Sequence, residues 1–164
     1  MAELTVLDEK LAEVLGLAQA AQQATRKVAG LAREEDETEL LQLLERMGEE
    51  AADTERRCEQ VAETRDGVKT AIHDKARETK REVAEFMRTY LEDAETLDGL
   101  EFLSMAEAGE LAHWEILGTL NRKAGDSAVA ELVETVLPLQ RRHVEDVRSS
   151  SLRLAAEEDP SEAA

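Results

Sequence analysis

Apolar residues recur three or four positions apart along almost the whole chain, and nowhere does a β-type alternation persist. That periodicity constrains the fold more than any other feature. A chain carrying one apolar stripe per segment must close those stripes against each other as packed helices. The stripes run through Leu4, Leu11, Val14, Leu15, Ala18 and Val28, then Leu40, Leu44, Met47, Ala51, Cys58 and Val61. They continue through Ile72, Ala76, Val83, Phe86 and Tyr90, then Leu103, Ala106, Leu117 and Leu120, and finally Val129, Val133, Val136, Val147 and Leu154.

Glycine and capping signals divide the pattern. Gly30, Gly67, Gly99 and Gly125 fall near joins, where helix ends accept glycine best. Asp36 with Glu39 and Asp98 with Glu101 have capping-box spacing, and Asp66 and Asp126 suit N-caps. The expected helices span 4–29, 36–65, 69–96, 99–123 and 127–155. At 1.5 Å per residue they are roughly 37–45 Å long, and their short joins make sequence neighbours antiparallel. One domain, 1–156, is expected, followed by an acidic frayed tail, 157–164. Pro138 inside the fifth segment predicts a kink, because it removes an amide donor and crowds the carbonyl of Glu134.

Charge and composition exclude several functions. The 164 residues carry 20 basic and 38 acidic side chains, a formal charge of −18, which opposes phosphate backbones and anionic lipid. No nucleic acid and no membrane are therefore expected as partners, and no apolar run approaches the roughly 20 residues of a membrane span. The first ten residues lack the basic-then-apolar pattern of a signal peptide, and the single cysteine, Cys58, forms no internal disulfide. A soluble protein of a reducing cytoplasm is expected. No phosphate-binding loop, nucleophile elbow or Cys-x-x-Cys pair is present. Met47 and Cys58 read as core filler.

Polar residues inside the stripes carry the functional signal. On a helical wheel Glu110 and His113 lie between Ala106 and Leu117, and Gln140 and His143 lie between Val136 and Val147. Both histidines are expected to be buried, whereas Glu107, Glu115, Glu131 and Glu134 are expected on the surface. Residues three apart project from one face and can share an ion, and imidazole with carboxylate suits iron, manganese or zinc. Two such pairs facing each other form a recurring two-metal arrangement in helical bundles. The alternative is a buried polar network that only fixes helix register.

Several stretches resemble the ferritin-like superfamily, and in particular the small, acidic bacterial stress-associated proteins built on its four-helix bundle. They are Leu7-Asp-Glu-Lys-Leu11, Glu59-Gln-Val-Ala-Glu63 and Glu110-Leu-Ala-His-Trp-Glu-Ile-Leu-Gly-Thr-Leu120. The resemblance implies an all-α, ferritin-like antiparallel four-helix bundle with the segment 69–96 as a long helical crossover. It also implies iron or manganese ions held in the core for oxidative or metal stress. Glu110-x-x-His113 matches the ligand motif. The second pair reads Gln140-x-x-His143, with a neutral amide in place of a carboxylate. Met47 stands where a ligand histidine is expected, with Glu50 at the edge of the stripe, and Asp8 is the acid of the first helix that best faces inward. The implied ligand set is thus Glu110, His113, His143 and Gln140, completed by Asp8 or Glu50. A homodimer is expected from long one-sided stripes. The competing function is a non-catalytic helical interaction or structural protein.

Overall fold

The computed structural model describes residues 3–162, and among them the chain is all-α. Five helices follow one another: α1 (Val6–Glu34), α2 (Thr38–Glu63), α3 (Lys69–Tyr90), α4 (Thr96–Ala124) and α5 (Ser127–Glu157). They match the expected segments to within a few residues at each end. Neither Asp36 nor Asp66 caps a helix, and two glycine signals fall elsewhere. Gly30 lies inside α1 and Gly99 inside α4, where a capping box forms between Glu95 and Asp98. Asp126 does cap α5, accepting from the Val129 N–H at 3.0 Å. Before it, Gly125 takes a left-handed φ of 70° and returns its N–H to Asn121 O. Glycine reaches that conformation without steric cost and ends α4 there. Of the expected tail, residue 157 still belongs to α5, and 163–164 lie outside the described residues.

Contacts at the helix ends fix the topology. At one end Glu35 Oε1 accepts from the Thr96 N–H at 2.9 Å, and Arg153 reaches Glu37 at 2.9 Å. At the other end Arg65 bonds Asp126 Oδ2 at 2.6 Å and lies 3.5 Å from Asp8 Oδ1. The chain therefore runs up, down, up, down and up. α1 packs on α2 and α4, and α5 packs on α4 and α2, so α1, α2, α5 and α4 close an antiparallel four-helix bundle. α3 lies outside this ring against α1, as the crossover that carries the chain from the end of α2 to the start of α4.

α3 sits close because α1 presents Gly16 to it. A Cβ there would lie 2.4 Å from Ala76 O and 2.8 Å from Thr79 Cβ. Pro138 does not interrupt α5. It is exposed, as is Glu134, so the carbonyl that loses its partner faces water.

Inside, the apolar core is divided. One cluster gathers Leu11, Val14, Leu15, Cys58, Ile72, Trp114, Leu117, Val129 and Val136. The other gathers Val28, Leu44, Met47, Leu91, Phe102, Leu103, Val147 and Leu154. Between them along the bundle lies a polar layer.

Candidate functional site

The layer is built by heptad spacing on α4 and α5. On α4, beyond the buried Thr96, Gly99 and Phe102, the seam runs through Leu100, Leu103, Glu107, Glu110, Trp114, Leu117 and Asn121, alternating steps of three and four. On α5 the buried positions are Val129, Leu132, Val136, Gln140, His143, Val147 and Leu154. This is the seam of left-handed helix pairing, and it places Glu107 and Glu110 of α4 opposite Gln140 and His143 of α5. Residue exposures are 2% for Glu107, 5% for Glu110, 3% for Gln140 and 3% for His143.

Glu107, Gln140 and His143 pair with each other and, through Glu50, with α2. Gln140 Nε2 donates to Glu107 Oε2 at 2.6 Å and to the Glu107 carbonyl at 3.2 Å. His143 Nδ1 lies 3.6 Å from Glu107 Oε2, and its Nε2 lies 2.6 Å from Glu50 Oε2. Glu50 also accepts from Arg142 at 2.5 Å. Trp114 Nε1 donates a long 3.4 Å bond to Glu110 Oε1.

Burial and charge set the titration of this layer. Desolvation, reinforced by the charge of Glu107, pushes Glu110 up to about 8. Burial pulls the His143 imidazole down, but Glu107 and Glu50 outweigh it and the net shift is upward. Burial raises Glu50, yet His143 and Arg142 together hold it below the ordinary carboxylate value. At neutral pH Glu110 is therefore a neutral acid, while the imidazole of His143 is pushed toward its charged form.

Of the expected ligands, Glu110, Gln140, His143 and Glu50 come together. Two do not join them. His113 turns toward α1, where its Nδ1 lies 3.1 Å from Glu13 Oε2 and 3.3 Å from Lys10 Nζ, and its side chain is 35% exposed rather than buried. Asp8 bonds Thr5 at 2.6 Å and faces Arg65 at the far end of the bundle. Glu107, expected on the surface, is instead the central acceptor of the layer. The error was one of register. Ala106 and Leu120 lie only half-buried, and the seam passes through Leu100, Leu103, Trp114 and Leu117. The step sequence 100, 103, 107, 110, 114, 117 is present in the sequence as one of several wheels that α4 permits.

The donor geometry does not suit a metal ion. Glu50 and Glu107 occupy opposite nitrogens of the His143 ring, so they cannot converge with one of them on a common point. Among the described residues no three His, Cys, Asp or Glu side chains form a group able to hold a metal. Cys58 and Met47 are buried in different apolar clusters, and burial pushes the Cys58 thiol far up. Among the same residues no helix is long and apolar enough to cross a membrane.

Two depressions deserve comparison. The larger, about 770 Å³, lies on the outer face of α4 and α5 near Gly118 and Val133 and contains none of the buried acids. The smaller, about 210 Å³, is walled by α1, α3 and α4 and reaches Glu107 and Glu110. No protein-family model, curated protein or solved structure matches the chain.

Proposed function

We propose that the protein is a non-catalytic helical scaffold of ferritin-like architecture, in which a hydrogen-bonded layer stands where such bundles hold metal. One observation carries this: Glu50, His143, Glu107 and Gln140 form a continuous chain of polar contacts across three helices. A network of that kind fixes which residue of α5 faces which residue of α4 and α2, because a shift of one position would bury unpaired charge. The crossover α3 and the antiparallel ring of α1, α2, α5 and α4 support the architectural half of the reading.

Metal titration separates this role from iron or manganese binding. A ligand that binds only the folded state raises the melting temperature. Addition of Fe(II), Mn(II) or Zn(II) is expected to leave it unchanged, both in the parent and in Gln140→Glu. The substitution itself should destabilise the protein, since it places another carboxyl against Glu107. A metal-dependent rise that disappears in His143→Ala would overturn the scaffold reading and restore metal binding.

A further inference from the structure

We propose that the cavity beside Glu107 and Glu110 binds a small ligand with an apolar body and one ammonium head. The cavity exists because α1 is alanine-rich at this level. Ala20 and Ala24 face Glu107 and Glu110 of α4, with Phe86 of α3 and Phe102 of α4 beside them. Its volume of about 210 Å³ exceeds the ~150 Å³ of an apolar cavity that takes up benzene. It therefore has room for one ring and a short arm. Phe86 and Met105, 50% and 45% exposed, mark its mouth.

The inner end is polar and under-used. Glu107 Oε2 is taken by Gln140, while Oε1 accepts from no side chain among the described residues. Glu110 Oε1 has only the long bond from Trp114, and Oε2 has none among the same residues. Both acids are more than nine-tenths buried and both line the cavity. Two carboxyl groups three residues apart offer acceptors and repel each other when both are charged. An ammonium supplies donors to both and removes the repulsion, whereas a carboxylate would meet like charge. Apart from His113 at one edge, the other walls are apolar, so the body of the ligand must be largely apolar too. The net charge of −18 favours a cation over an anion at the mouth. The site opens toward α1 and α3, whereas the Glu50–His143 contact lies toward α2 and α5. The site and the layer share Glu107, but the layer uses its Oε2 and the site its Oε1.

The test uses the full chain, with benzylammonium, toluene and benzoate as probes at about 150 mM salt, where diffuse attraction is screened. Calorimetry should show saturable binding of benzylammonium, at least about tenfold tighter than toluene, and none of benzoate; each tenfold is one decade in Kd. Glu110→Gln removes a carboxyl that can give up its proton to pair with the bound ammonium, and should weaken benzylammonium by about tenfold or more. Gly109→Leu provides a second variant. A Cβ at Gly109 meets nothing within 4 Å, so the helix accepts the side chain, which then fills the cavity. Binding should be lost. Equal affinity for toluene and benzylammonium would mean a plain apolar void and would overturn the proposal. So would the absence of binding, or full binding in Gly109→Leu.

Discussion

His143 Nε2 meets Glu50 Oε2 at 2.6 Å, and this contact ties α5 to α2 across the side of the ring where the helices touch least. Since Glu107 stands at the other ring nitrogen, the imidazole is a bridge between two acids. Removing it leaves Glu107 buried without its cation. His143→Ala should cost about 3–5 kcal/mol, the usual range for breaking one side of a buried pair. Glu50→Gln should cost less, since Glu50 is partly exposed. Urea unfolding of the two variants checks the order, and equal losses would deny the bridge.

Stability should fall as the pH rises. Glu110 is protonated in the fold up to about 8, well above its ordinary value of 4.5. Folding therefore takes up a proton between these values, and the stability fully present below them is lost as pH passes through the folded value. His143, also raised, acts in the same direction above 6.5. Glu50, held low, acts at the acid end, where its contribution is lost as pH falls through its folded value. The melting temperature should be highest in mild acid and decline between about pH 4.5 and pH 8. Glu110→Gln should flatten that decline. A melting temperature rising steadily over the same range would contradict the assignment.

Gly16→Ala should loosen α3. The added Cβ meets backbone at Ala76 and the Thr79 side chain, so two helices must separate. The cost should be about 1–3 kcal/mol, as for other overpacked contacts. Gly30→Ala is the control. Nothing lies within 4 Å of its added Cβ, and the change should be neutral or stabilising by up to about 1 kcal/mol. Thermal denaturation of both decides it.

Cys58 should be chemically silent in the native protein. It is fully buried, and desolvation and nearby acids disfavour its thiolate, the reactive form. A thiol reagent should label it only at the rate of unfolding. Rapid labelling of the folded chain would mean that α2 is far looser than its packing indicates.

The five helices were legible because each stripe is long and its period unambiguous. Helix ends were less so: Gly30 and Gly99 serve helix interiors, and at Gly99 the close side chain of Val28, 2.9 Å from an added Cβ, explains why a small residue stands there. Gln140 and His143 were found because α5 has valines on both sides of them to anchor the register. Glu107 was missed and His113 misplaced because α4 mixes alanine, glycine and serine around its seam, so several wheels fit equally well. Only the partner helix decides among them. No property of His113 itself shows that it will turn to Lys10 and Glu13 on α1.

The outer helix carries one more consequence. The buried residues of α3 are Ile72, Ala76 and Thr79, all in its first half, and Leu91 follows its end. From Lys80 to Tyr90 no residue is buried. Phe86 on Phe102 and Met87 on the core hold this span more lightly than full burial would, so its amides should exchange ahead of those in the ring. Because Val83 and Phe86 in that span form one wall of the small cavity, the wall yields where the floor of Glu107 and Glu110 does not. How fast a guest enters is then governed by the excursions of this span, and the largest guest admitted exceeds what the resting volume would hold.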